Sequence, residues 1–136
     1  MAEQLKLIAE KVSSEGHEFL SSEELLISLL GVGRYIANTV LCFSIGIPKP
    51  ALDTNMIRVL ERVFSYESKR SRAREDRDFW SFAERMVPVN NPKEYNWGIL
   101  DLASQVCKSN KPVCEDCPIS DNCDYYRKVT IIERKV

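Results

Sequence analysis

The sequence lacks a surplus of charge. Nineteen Lys and Arg face 20 Asp and Glu, a formal net charge of −1 over 136 residues. Proteins that neutralise phosphates usually show a basic excess, so the overall balance counts against a nucleic-acid partner. Histidine is reduced to His17, which lies in a polar link and is given no role. No run approaches the ~20 apolar residues that span a bilayer, so no membrane partner is expected. Nor does the N-terminus show the charged-then-apolar pattern of a secretory leader. With five cysteines one would stay odd, so an oxidised disulfide scaffold fits poorly and a reducing, cytoplasmic setting is expected. Internal repeats, low-complexity tracts and convincing alternating strands are missing too. At 44% hydrophobic and 29% charged, the composition is that of one ordinary globular domain.

What is present is helical periodicity. Leu5, Ile8, Ala9 and Val12 form an i, i+3, i+4, i+7 stripe, which predicts an amphipathic helix over residues 4–12. Ser21 and Glu24 have capping-box spacing and open a second helix over 23–29. Gly31-Val32-Gly33 interrupts it. A third helix follows over 34–45, stopped by Gly46, Pro48 and Pro50; Cys42 lies on its apolar side and packs as a small hydrophobe. Asp53 is the natural cap of a fourth helix with a wide apolar stripe of Met56, Ile57, Val59, Leu60, Val63 and Phe64. In the charged stretch beyond it, Lys69, Arg70, Arg72, Arg74 and Arg77 are offset almost fully by Glu67, Glu75, Asp76 and Asp78, which reads as a solvated loop. Phe79, Phe82, Ala83, Met86 and Val87 mark a fifth helix ending at Pro88, and Pro92 starts a sixth that runs to 106. The predicted fold class is all-α.

Three features carry chemistry. Cys107, Cys114, Cys117 and Cys123 are spaced C-x6-C-x2-C-x5-C within 17 residues, close enough for four thiolates to converge on one inorganic centre. Structural zinc sites usually supply two short C-x2-4-C pairs; only one pair is short here, which favours an iron–sulfur cluster and leaves zinc as the alternative. Leu30, Gly31, Val32, Gly33 and Arg34 form a glycine-broken turn between two helices. Such a turn can present backbone N–H groups to a phosphate at a helix start, or serve only to reverse the chain. Asp53 likewise can be an ordinary cap, worth about 1 kcal/mol, or a reacting carboxylate.

Taken in order, the turn at residues 30–34, the Leu52-Asp53-Thr54-Asn55 helix start, the run Asn96-Trp97-Gly98-Ile99-Leu100-Asp101-Leu102 and the cysteine loop resemble the HhH-GPD superfamily of DNA glycosylases, in its endonuclease III and MutY group. The resemblance covers nearly the whole chain. It implies a helix-hairpin-helix fold, here partial, with a C-terminal loop in which the four cysteines hold a [4Fe-4S] cluster. It implies DNA contacts from residues 30–34 and from Lys108 and Lys111, and a partner that is double-stranded DNA with a mismatched or damaged base. Asp53 becomes the catalytic carboxylate. Breaking an N-glycosidic bond builds positive charge on the deoxyribose, which an adjacent ionised carboxylate stabilises.

Tyr35 bears on the subclass. Bifunctional members of the group have a lysine at this place that forms a Schiff base with the sugar; a tyrosine cannot, so water becomes the nucleophile and the enzyme monofunctional. Thr54, where MutY-type enzymes usually have glycine, places thymine or uracil opposite guanine ahead of adenine opposite a damaged guanine. The expected organisation is a partial helical domain over 1–106 with its hairpin at about 29–34, a cluster loop over 107–123 and a C-terminal tail over 124–136. Members of the superfamily have more helices before the hairpin, and the adenine enzymes have an essential acid that no glutamate here matches. A separate N-terminal partner chain is therefore an expectation. So are two other classes: a catalytically silent DNA-binding iron–sulfur module, and a cluster protein with a redox or structural role. In a prokaryote the protein would be nucleoid-associated.

Overall fold

A computed structural model describes residues 2–133. Every regular element among them is helical: α1 (Ala2–Glu15), a 3-10 turn (His17–Ser21), α2 (Glu23–Ile27), α3 (Arg34–Val40) running on as a π-helical turn (Leu41–Ile45), α4 (Thr54–Phe64), a 3-10 turn (Ala73–Glu75), α5 (Arg77–Met86), α6 (Pro92–Gln105), 3-10 turns at Cys114–Asp116 and Ser120–Asn122, and α7 (Asp124–Glu133). No helix among the described residues is long and apolar enough to cross a membrane.

Local chemistry explains most of the boundaries. Gly46 takes φ 86 and closes the long third helix, a left-handed conformation that costs a glycine little. Asp53 caps α4 and Pro92 sits in the first turn of α6. Two readings change. The cap of α2 is Ser22, whose hydroxyl accepts from Leu25 N at 3.3 Å; Ser21 ends the preceding 3-10 turn, so the capping-box spacing is one residue out of register. The stretch from Asp124 is a helix that packs on α4, while residues 134–136 of the expected tail lie outside those described.

The apolar stripes converge on two cores. Phe19, Leu26, Leu29, Ala37 and Leu41 form one beneath α1 and the hairpin. Leu52, Met56, Leu60, Phe79, Trp80 and Ala83 form the other between α4, α5 and α6. Phe79 is completely buried, and truncating such a ring costs about 3–5 kcal/mol. A half-buried ion cluster joins the two. Arg34 pairs with Glu23 of α2 at 3.2 Å and Glu84 of α5 at 3.1 Å, and Lys49 reaches the same carboxylates at 2.6 and 3.1 Å. Burial alone would lower the Lys49 pKa, but its bonds to Glu23 and Glu84 outweigh that and hold the ammonium above its ordinary value.

The charged loop is more ordered than its composition predicts. Asp76 is buried and caps α5, accepting from Asp78 N and Phe79 N while its other oxygen accepts from Ser68 Oγ and Lys69 N at 2.8 Å. One carboxylate thereby fastens both ends of the excursion.

Candidate active site

The segment between Gly46 and α4 has no regular structure, yet polar bonds hold it tightly. Asn96, fully buried on α6, accepts from Ala51 N at 2.7 Å and donates to Lys49 O at 3.1 Å, Pro92 O at 2.8 Å and Cys42 Sγ at 3.3 Å. Burial raises the Cys42 thiol pKa, and that Asn96 bond pulls the other way. Asn38 of α3 reaches Pro50 O at 3.5 Å. The segment delivers Asp53 to the start of α4. There Oδ1 accepts from Met56 N at 2.8 Å and Oδ2 from Asn55 Nδ2 at 3.0 Å, leaving the carboxylate oriented and partly exposed. Asn55 is itself steadied by Arg58 Nη2 at 3.1 Å, and Arg58 also grips Ala103 O at 3.0 Å and Cys107 O at 2.9 Å.

In the hairpin Val32 N donates to Leu29 O and Ala37 N to Gly33 O, Gly31 takes φ 83 and Leu30 is exposed. Gly33 differs from Gly31: its φ of −91 is open to any residue, and a Cβ there would meet no atom of the protein within 4 Å. Nothing in the fold requires glycine at 33. The Arg34 guanidinium is turned inward to Glu23 and Glu84 and stacks 4.7 Å over the Trp80 ring, so what Arg34 offers outward is its backbone. Tyr35 is 38% exposed, and its carbonyl accepts from Thr39. Among the described residues no hydrogen bond joins Tyr35 to Asp53.

All four cysteines of the loop are free thiols lining one small cavity of about 20 Å³. Burial raises the Cys114 pKa, and the neighbouring Cys107, Cys123 and Cys117 raise it further. Among the described residues no three His, Cys, Asp or Glu side chains are gathered closely enough to hold a metal ion. The four thiols ring one shared cavity, and thiolate sulfur is the donor that both an iron–sulfur cluster and zinc take. Arg62 of α4 secures the loop, donating to Lys108 O at 2.6 Å, Ser109 O at 3.1 Å and Cys107 Sγ at 3.4 Å, and stacking on Tyr125. Lys108 and Lys111 are both exposed at this loop. Lys111 takes φ 51, an uncommon conformation for a residue with a side chain.

No family model matches the chain. It is 49% identical over 107 residues to thymine-DNA glycosylase of Aeropyrum pernix, covering 77% of this chain and 48% of that protein. It is 44% identical over 126 residues to thymine/uracil-DNA glycosylase of Pyrobaculum aerophilum, covering 90% and 55%. Among solved structures, a thermostable thymine-DNA glycosylase superposes with a TM-score of 0.80 at 32% identity, covering 93% of this chain and 58% of that one. The chain belongs to the HhH-GPD superfamily.

As an HhH-GPD chain it spans about half the length of the relatives it matches. An apolar groove of about 590 Å³ runs between α4 and α6 to the cysteine loop, floored by Leu60, Val63, Phe64, Ile99 and Leu102, and Phe64 is 46% exposed. Asn96 lies within the run that carries the resemblance, yet the sequence assigns it no role, and neither Arg58 nor Arg62 stands out in the sequence. A polar residue on the buried side of a predicted helix was the available signal for Asn96. The two arginines gave none, because all but one of their hydrogen-bond partners lie 45 or more residues away.

Proposed function

We propose that the chain is part of a monofunctional DNA glycosylase that hydrolyses the N-glycosidic bond of thymine or uracil mispaired with guanine in double-stranded DNA. Asp53 carries the reading: a partly exposed carboxylate, held at both oxygens at the start of an eleven-residue helix, on a segment pinned to the hairpin helix and to α6. The target nucleotide leaves the stack, since its glycosidic bond is inaccessible within a duplex. As the C1′–N bond breaks, its electron pair departs with the base, which takes up a proton, and positive charge spreads over the sugar. Ionised Asp53 stabilises that charge more than it stabilises the neutral substrate. Water then bonds to C1′ and loses a proton, leaving an abasic site. Tyr35 has no amine to form a Schiff base, so the strand stays intact.

The hairpin supports the DNA side of this reading. Gly33 keeps a bare backbone with no structural need for it, as close approach by a phosphate requires. Cys107, Cys114, Cys117 and Cys123 would hold a [4Fe-4S] cluster, which supplies a cross-link that shapes the loop bearing Lys108 and Lys111. The relatives' names supply the substrate class, thymine or uracil. Because the chain spans about half their length, we further propose that the groove between α4 and α6 is covered by helical sequence such relatives carry beyond the matched span, on the same polypeptide or a separate chain.

The decisive assay incubates cluster-loaded protein, alone and with that additional sequence, with G·T, G·U and A·8-oxoG duplexes, then cleaves abasic sites with alkali. Excision from G·T or G·U that disappears in Asp53→Asn, with folding and DNA affinity retained, is the expected result. Excision of adenine instead would replace the substrate. DNA binding with no excision of any base would leave a silent binding module.

A further inference from the structure

The arginine-rich loop has a place in the fold that its composition hides. Its 3-10 turn (Ala73–Glu75) folds back along α4 and walls a groove of about 620 Å³ whose other side is Thr54, Ile57, Arg58 and Glu61. Thr54 directly follows Asp53, so the groove reaches the first turn of the helix that Asp53 caps. Three guanidinium-bearing residues, Arg58, Arg72 and Arg74, line it against two carboxylates, Glu61 and Glu75.

Those charges are unequally occupied. Glu75 is paired with Arg72 at 3.3 Å and Asp78 with Lys69 at 2.7 Å, while Asp76 is buried beneath the loop as the cap of α5. Arg74 is exposed and makes no ion pair among the described residues. Arg58 is engaged only with neutral acceptors and Glu61 with no cation among the described residues, so three guanidinium groups against two carboxylates leave one positive charge in excess. The near-neutral sum read from the sequence thus resolves, in space, into a groove with surplus positive charge. Nor is the turn a loose one. Trp80 Nε1 donates to Arg74 O at 2.9 Å, Glu75 N to Arg72 O at 2.9 Å and Asp76 N to Ala73 O at 3.1 Å, and Ala73 packs on the core. A solvated loop has no need of such anchoring.

We propose that this groove holds a backbone phosphodiester of the DNA strand beside the target nucleotide, with Arg74 as its principal cation. The inference rests on the glycosylase reading and adds a phosphate contact separate from the hairpin. Thr54 and Arg58 lie four residues apart, about 6 Å along the helix axis. A phosphate seated there is fixed close to the sugar that Asp53 faces, which is how backbone contacts set register without reading sequence.

The test is a fluorescence-anisotropy titration of a short duplex across a salt series, using wild type, Arg74→Ala, Arg74→Glu and, as a remote control, Lys6→Ala on α1. Arg74→Ala is expected to weaken binding ~10-fold at low salt, equally for matched and mismatched duplexes, and to reduce the slope of log K against log salt by about 1. Arg74→Glu should weaken it further, Lys6→Ala should match wild type, and all four should share one circular-dichroism spectrum and melting temperature. If both Arg74 variants bind like wild type, the groove proposal is overturned while the glycosylase reading stands. If wild type fails to bind DNA both alone and with the additional sequence, that reading falls and takes this one with it. If salt slopes are unchanged but inorganic phosphate raises the melting temperature of wild type and not of Arg74→Ala, the occupant is a small free anion and the proposal is overturned in that form.

Discussion

Asn38 and Asn96 are both fully buried, but their surroundings differ. Asn96 satisfies both ends of its amide, whereas Asn38 donates one long bond and leaves Oδ1 without a partner. Removing Asn96 strands Ala51 N–H and Lys49 C=O in the interior, and each buried group left unpaired costs about 1–3 kcal/mol. Removing Asn38 strands little. Asn96→Ala is therefore expected to lose about 2 kcal/mol more than Asn38→Ala in urea denaturation, the two sharing a similar cavity term. Equal losses would mean that the Asn96 bonds do not hold the segment before Asp53. The hairpin glycines make a second contrast. Gly31→Ala forces a side chain into φ 83 and should cost about 1–2 kcal/mol. Gly33→Ala, at the N-cap of α3, should cost less than about 1 kcal/mol and weaken DNA binding, so unchanged DNA affinity in Gly33→Ala would refute its reading as a phosphate seat.

At the scale of elements, α5 depends on a cap that also closes the loop before it. Asp76 is held below its ordinary pKa of 3.8, first by the Ser68 hydroxyl and then by backbone N–H groups. A carboxyl with a depressed folded-state pKa gives its full stabilisation above the unfolded value and loses it as pH falls through the folded one. Acid titration by circular dichroism should show a limb below about pH 3.8 that is shallower in Asp76→Asn; identical limbs would remove Asp76 from the account. The sequence made α4, α5 and α6 legible because their stripes are regular and Asp53, Pro88 and Pro92 punctuate them. It made the four cysteines legible through spacing alone. Asp76 was hidden because it was counted as one more loop charge, and burial depends on Ser68 and Lys69 meeting it. α7 was hidden because its helix leans on α4 through Arg62–Tyr125 and Lys128–Ser65, contacts between residues 63 apart in the chain. The inward turn of Arg34 was unreadable because Glu84 lies 50 residues away.

For the whole molecule, neither apolar core contains a residue of the cysteine loop or α7. Loss of the proposed cluster should accordingly be a local event. Cys117→Ser is expected to abolish iron content and brown colour and to open residues 106–133 to limited proteolysis, while residues 2–105 keep their helicity and melt cooperatively. Global unfolding of that variant would show that the loop is structurally continuous with both cores. The bonds converging on Asn96 act in the opposite sense. They tie a segment without regular structure to α6, and through Lys49 to α2 and α5, so that segment cannot open unless both cores do. The Ala51 amide lies in coil, outside every helix, yet its N–H ends on a fully buried carbonyl oxygen. In deuterium exchange it should belong with the slowest amides of α4, released only by global unfolding. The approach to Asp53 would then be as rigid as the helix it leads into.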